Sequence, residues 1–206
     1  MYPRFLKDFK GGHGVNTYDI ITEEVESSIR VKQLVVERCL DSIQLASNQI
    51  VTALSDDKAL LLAGNGGSAT DAVHIAAEFL GRFRRNRRSV PAIALPANIS
   101  VVTAIGNDYG YDEIYARQID GFYRIAGVFM GFSTSGNSGN IVKAAMRAKE
   151  LGLVTIGFTG EDGGLLKSVV STLIAVPSRD TARIQEVHIM IGHILSEIAE
   201  RWIASR

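Results

Sequence analysis

The apolar positions of this chain fall into two regimes. From about Asp19 to Leu54 they recur at three- and four-residue intervals, with Ile21, Val25 and Ile29 first and then Leu34, Val35, Leu40, Ile43, Ile50, Val51 and Leu54. This is the period of a helix with one buried stripe, and it predicts one long helix or two broken near Ser47-Asn48. A continuous helix of that length would reach about 50 Å, far past the width of a domain this size. The segment is therefore expected to pack on another subunit. Beyond it the pattern changes to short, unbroken apolar runs, each ending in a polar or glycine-rich turn and followed by an amphipathic stretch.

The runs predict strands over residues 59–63, 92–95, 128–132, 154–158 and 173–176, and the stretches between them predict helices over 68–83, 99–105, 111–122, 140–151, 164–170 and 182–204. Unbroken rather than alternating apolar runs belong to strands covered on both faces. Strands that alternate with helices give a parallel sheet with right-handed crossovers. The expected fold is thus α/β: a three-layer α/β/α sandwich on a five-stranded parallel sheet, preceded by a long N-terminal helical segment. Residues 1–18 mix Gly, Pro and charge with no period and predict an irregular extension, which leaves 19–206 as a single domain. A chain of 206 residues with 46% hydrophobic content has the bulk for one such core.

Charge narrows the function. Lys plus Arg equals Asp plus Glu, 22 against 22, so no overall field draws the chain to nucleic acid or an anionic membrane, and any anion must be captured locally. The basic run from Arg82 to Arg88 reads as a solvated helix end whose cations face the C-terminal dipole. The one cysteine, Cys39, has no partner in the chain and implies a reducing compartment. No secretory signal opens the sequence and no run approaches the roughly 18 apolar residues of a membrane span. The expectation is a cytoplasmic protein with no nucleic-acid and no membrane partner.

Two loops carry anion-binding chemistry. The first strand runs into Gly64-Asn65-Gly66-Gly67-Ser68 and then a helix bearing Asp71, His74 and Glu78. Glycines let the backbone approach a ligand, and free N–H groups at a helix start bind phosphate or polyol oxygens. The same letters fit a dinucleotide fingerprint, but the second strand ends Ala94-Leu95-Pro96, without the acid that would hold a ribose. A glycine turn that merely joins strand to helix is the plainer reading of this loop alone. The third strand ends in Ser133-Thr134-Ser135-Gly136-Asn137-Ser138-Gly139-Asn140. A single serine there would be a helix cap, but a whole run of hydroxyls and amides at the carboxyl end of a central strand reads as a phosphate site.

Proton-moving groups complete the picture. His74 and Glu78 share a helix face, as two ligands of a metal or as a base and its neighbour. Gln185, His188 and His193 lie on the apolar C-terminal helix, where buried polar groups either satisfy one another or form a site. Gln185 and His193 are separated by about 12 Å of helical rise. Shared use of one ion then requires Gln185 at a frayed helix start or a contribution from a second subunit. His188 is expected to pack or to support the site residues from behind.

Taken in order, the Gly64–Ser68 turn with Asp71, His74 and Glu78, the stretch Ile105-Gly106-Asn107-Asp108-Tyr109-Gly110, the hydroxyl loop, and Arg183-Ile184-Gln185-Glu186-Val187-His188 with His193 resemble the phosphoheptose isomerases of the sugar isomerase (SIS) superfamily. The sequence departs from the usual pattern at Ala126-Gly127 and Ala182. The resemblance implies substrate binding by Asn65, Gly66, Gly67, Asn107, Asp108, Ser133, Thr134, Ser135, Ser138 and Gln185. It implies Zn²⁺ at His74, Glu78, Gln185 and His193; the carbonyl shift such isomerases perform needs a carboxylate base and an imidazole acid, and Glu78 and His193 are the expected catalytic pair. It further implies a homotetramer with sites between subunits, acting on a phosphorylated seven-carbon sugar for lipopolysaccharide, capsule or surface glycan. The alternative is a non-catalytic SIS protein that senses a sugar phosphate or binds a replication-initiator associated partner; the His and Glu set weighs against it.

Overall fold

The structure is a computed structural model and describes residues 16–205. Of the expected N-terminal extension, residues 1–15 lie outside the described residues, and the helix begins earlier than Asp19. Asn16 caps it, its Oδ1 accepting the Tyr18 N–H at 3.2 Å, and α1 runs over Thr17–Arg38.

The chain then breaks at Cys39 and not near Ser47-Asn48, and α2 spans Leu40–Ser55. The reason is local. Cys39 is buried and its Sγ donates to the Ala175 carbonyl, so this residue turns inward to the sheet. Ser47, the expected breaker, stays helical because its hydroxyl bonds back to the Gln44 carbonyl within the same helix.

Five strands follow: β1 Ala59–Gly64, β2 Ala92–Ala94, β3 Ala126–Phe132, β4 Val154–Thr159 and β5 Thr172–Ala175. All pair in parallel, in the order β2-β1-β3-β4-β5. The remaining helices are α3 Gly67–Leu80, α4 Ile99–Tyr109, α5 Ala116–Phe122, α6 Gly139–Glu150, α7 Leu166–Val169 and α8 Thr181–Ala204. The expected helix over 111–122 is a 3-10 turn at Tyr111–Glu113 followed by α5, and α3 stops at Leu80, short of Phe83.

Successive side chains of each strand serve opposite faces. Leu60, Leu62, Val128, Met130 and Phe158 join α1, α2, α3 and α8 in one core, while Leu61, Ala63 and Phe129 join α5, α6 and α7 in the other. The sheet is therefore the middle layer of three, as its unbroken apolar runs predict. No described helix is long and apolar enough to cross a membrane.

The strand order places the chemistry. The winding reverses between β1 and β3, whose carboxyl ends pair at Gly64↔Phe132. Open α/β sheets bind ligands in the crevice such a reversal leaves, and here the glycine turn and the hydroxyl loop both open onto it. On the adjoining face α3 packs beside α8. A Cβ on Gly192 would lie 2.5 Å from the Ile75 side chain, so only glycine permits this approach. The residues next to that contact are His193 and His74.

Candidate functional site

The close packing of α3 on α8 draws three predicted residues into one cluster. His74 Nε2 lies 2.9 Å from His193 Nε2 and 3.2 Å from Glu78 Oε1, and one ligand atom from each of the three falls within 4.8 Å of the others. Two donors bound to a tetrahedral ion at ~2.0–2.1 Å stand roughly 3.3 Å apart. Two imidazoles and a carboxylate at this spacing are a nitrogen and oxygen donor set that fits a zinc ion. Burial, with the neighbouring His74 next in importance, pushes the His193 pKa below the ordinary imidazole value, despite an opposing pull from Glu78. A neutral ring is the form that binds metal or accepts a proton.

Gln185 meets the first turn of α3 at Gly67, about 10 Å of helical rise before His74. Helix α8 is firm at its start, Asp180 Oδ1 accepting the Ala182 N–H at 2.8 Å, so Gln185 does not sit on a frayed end as one reading of the sequence required. Its amide lies over Gly67, where a Cβ would come within 2.8 Å of Nε2. The two helices run side by side, Gln185 meeting the start of α3 and His193 meeting its second half. Asp71, between them, has one buried carboxylate oxygen with no hydrogen-bond partner among the described residues, and burial raises its pKa to about 6 against the opposing charge of His74.

At the crevice, Asn65 is locked in a reciprocal amide pair with Asn140, at 2.8 and 2.9 Å. Its Oδ1 also accepts the Tyr111 hydroxyl at 3.1 Å, and the Tyr115 hydroxyl donates to the Gly64 carbonyl at 2.5 Å. This network ties the glycine turn to the start of α6. Ser133 and Ser138 join across the hydroxyl loop at 2.9 Å. Thr134 and Ser135 line a cleft of about 290 Å³ that also touches Ser178 and Arg179. Asn107 and Asp108 lie in the last turn of α4 and bond each other at 2.9 Å; among the described residues no hydrogen bond joins them to the other predicted positions. A larger apolar cleft of about 870 Å³ lies under α4 and α5 with Asp108 at its rim, away from the histidine cluster. The chemistry marks the site better than the size of the cleft does.

Sequence reasoning missed Asn140 and Phe83. Asn140 looks like the last letter of a loop, and nothing in the sequence pairs it with Asn65, 75 residues away. Phe83 stacks on the His193 ring, centroids 5.3 Å apart and planes 16° from parallel, yet it sits in a basic run that reads as solvated. That run is not simply solvated: the Arg87 side chain is 3% exposed and faces Glu200.

His188 packs, as expected. It is enclosed by Phe132 and Phe158, its Nε2 meets the Thr159 carbonyl at 3.2 Å, and burial drives its pKa down to about 4 despite that contact. The unfolded chain therefore takes up this proton near pH 6.5 and the folded chain only near 4, so stability falls as pH drops through that window, by at most on the order of 3 kcal/mol. His188→Phe is expected to lose less of its urea midpoint between pH 7 and 4.5 than the wild type does. Parallel losses would place the acid sensitivity elsewhere.

Comparison with known proteins shows the family. The SIS domain family model matches residues 25–160. The phosphoheptose isomerase of Clostridium acetobutylicum is 47% identical over 185 residues, covering 89% of this chain and 94% of that protein. That of Aquifex aeolicus is 45% identical over 179 residues, covering 87% and 94%. Among solved structures, the phosphoheptose isomerase of Neisseria gonorrhoeae superposes with a TM-score of 0.84 at 36% identity, covering 89% of this chain and 98% of that one. For that of Francisella tularensis the values are 0.85, 32%, 91% and 100%. The chain belongs to the SIS domain family and, within it, to the phosphoheptose isomerases.

Proposed function

We propose that the chain interconverts sedoheptulose 7-phosphate and D-glycero-D-manno-heptose 7-phosphate, a carbonyl shift between C2 and C1. The observation that carries this reading is the convergence of His74, Glu78 and His193 beside a crevice lined by hydroxyl and amide groups. The hydroxyl loop, from Ser133 and Thr134 through Ser135 to Ser138, takes the phosphate at the start of α6, where free N–H groups and the helix dipole favour an anion without lysine or arginine. Asn65, Gly66, Gly67, Asn107, Asp108 and Gln185 take the sugar hydroxyls.

Glu78 then removes the proton on C1 and returns it to C2, and the electron pair released from the C–H bond moves through the enediolate. His193 moves the proton between the two oxygens. A carboxylate and a neutral imidazole divide the carbon and oxygen protons in this way when each works near its pKa. His74, Glu78 and His193 would hold the Zn²⁺, with Gln185 of a second copy as the fourth ligand. When bound, the ion supplies Lewis acidity toward the carbonyl and hydroxyl oxygens.

A second copy also accounts for the apolar stripe of Ile21, Val25 and Ile29 on α1, which is 57%, 54% and 49% exposed in the single chain. The assembly we propose is a homotetramer with its sites between subunits, in the cytoplasm, whose product enters nucleotide-activated heptose for lipopolysaccharide, capsule or surface glycan.

The test is incubation with sedoheptulose 7-phosphate, with detection of the aldose. Turnover is expected to vanish after treatment with a chelator and to return on adding Zn²⁺. Activity that survives exhaustive metal removal would refute the metal's role, and no aldose from the zinc-loaded protein would refute the substrate.

A further inference from the structure

The His193 ring is fixed from an unusual direction. A histidine that binds a metal ordinarily has its second ring nitrogen held by a carboxylate or carbonyl. Here, among the described residues, the only hydrogen bond of the ring joins its Nε2 to His74. What covers its face is Phe83, stacked at 5.3 Å and 16°.

Phe83 lies outside regular structure, in the segment that follows α3, so something must hold it. Glu200 does. It sits two turns beyond His193 on the same side of α8, with its side chain 0% exposed. Its carboxylate accepts three consecutive backbone N–H groups, from Phe83 at 2.9 Å and from Arg84 and Arg85 at 2.8 Å each. These bonds outweigh the cost of burial, and the Glu200 pKa lies below the ordinary carboxylate value. Arg87 faces it at 3.5 Å and donates to the carbonyls that end α3, including those of Glu78 at 2.6 Å and Phe79 at 2.7 Å. One buried ion pair thus binds the end of the helix carrying Glu78 and the segment carrying Phe83.

We propose that Phe83, held in place by the buried carboxylate of Glu200, is a positioning residue for His193, fixing the plane of the imidazole so that its Nε2 addresses the His74 and Glu78 cluster. The proposal rests on the isomerase reading for its catalytic consequence but not for its geometry. An aromatic ring at this position limits His193 to one orientation by face packing. An aliphatic side chain of similar volume fills the space and leaves the ring free to tilt. Among the described residues the ring and hydrogen-bond partners of Phe83 are His193, Arg84 and Glu200, none of them in the hydroxyl loop, so the effect belongs to metal affinity and turnover and not to phosphate binding.

The experiment compares Phe83→Ala, Phe83→Leu and Phe83→Tyr in the full chain. Zinc affinity is measured by competition with a chromophoric chelator in the absence of sugar, kcat and KM with sedoheptulose 7-phosphate, and Tm as the check on folding. Loss of a group that orients a ligand typically lowers metal affinity or activity roughly 10–100-fold. That loss is expected for Ala and Leu in both zinc affinity and kcat, with KM near the wild-type value, and Tyr is expected to recover both. Glu200→Gln, which keeps the shape and weakens the acceptor, is expected to follow the same direction with a lower Tm.

Zinc affinity and kcat at wild-type levels in Phe83→Leu would overturn the proposal, since space-filling would then suffice. A rise in KM alone would overturn it as well. The zinc titration contains no sugar, so a wild type that isomerises nothing while Phe83→Leu loses zinc would refute the activity and uphold the positioning role.

Discussion

Replacing Glu78 with Gln is expected to leave a folded protein whose turnover of sedoheptulose 7-phosphate falls roughly 10²–10⁴-fold, the range a positioned acid or base contributes. The amide has the size of the carboxylate but cannot accept a carbon-bound proton at neutral pH. Nor does it bring a charge to a divalent ion. Helix α3 survives the change because its stability comes from the buried Ala72, Ile75, Ala76 and Phe79, whereas the Glu78 side chain stays 19% exposed. Since Glu78 lies 3.2 Å from His74, the variant is also expected to weaken the proposed zinc site. Turnover is therefore measured at saturating zinc, with Tm and zinc content in parallel. A zinc-loaded, folded Glu78→Gln protein of undiminished kcat would remove Glu78 from the proton path.

Much of this site was legible in the sequence because its parts are local. The strands announce themselves as unbroken apolar runs such as Leu60-Leu61-Leu62, and the turn glycines follow directly. His74 and Glu78 share a face by helical geometry alone. What the sequence does not carry is the packing of distant elements. The pairing of Asn65 with Asn140, and the stacking of Phe83 on His193, arise when α6 and α8 are laid against β1 and α3, and no period in the chain encodes either.

The break at Cys39 escaped for a similar reason. A cysteine is an ordinary helix residue until its thiol has a carbonyl on a neighbouring strand to meet, whereas Ser47 looked like a breaker and satisfied itself within its own turn. Arg87 escaped because a run of six or seven polar letters suggests solvent; its burial depends on Glu200, far along the chain. Gln185 shows the opposite case. The rise along α8 was readable in advance, and the structure adds that the start of that helix is firmly capped, which removes a frayed helix start from the ways Gln185 and His193 could share one ion.

The largest loss of stability is expected from Gly136→Ala, in the hydroxyl loop. Gly136 adopts φ +67°, and a Cβ there would lie 2.2 Å from the Gly163 carbonyl oxygen. The neighbouring backbone cannot yield. Its N–H bonds Ser133 and its carbonyl accepts from Leu166 at 3.0 Å, while the Gly160 N–H reaches Thr134 at 2.8 Å. The loop proposed for phosphate is thus keyed into the turn after β4, backbone against backbone. Left-handed strain on a side-chain-bearing residue costs about 1–2 kcal/mol, and prising two backbones apart adds about 1–3 kcal/mol.

Gly152→Ala separates these terms. Gly152 has φ +83° with nothing within 4 Å of its would-be Cβ, so it carries the strain without the collision. For a chain of this length each kcal/mol moves Tm by roughly 2–4 °C. Gly136→Ala is therefore expected to melt on the order of 5–15 °C below the wild type, clearly below Gly152→Ala, and to raise KM for the sugar phosphate more than it lowers kcat, because the loop is the one proposed to meet the phosphate and not the reacting carbons. Equal melting temperatures in the two variants, or an unchanged KM in Gly136→Ala, would show that the interlock of the two turns does not shape the phosphate site.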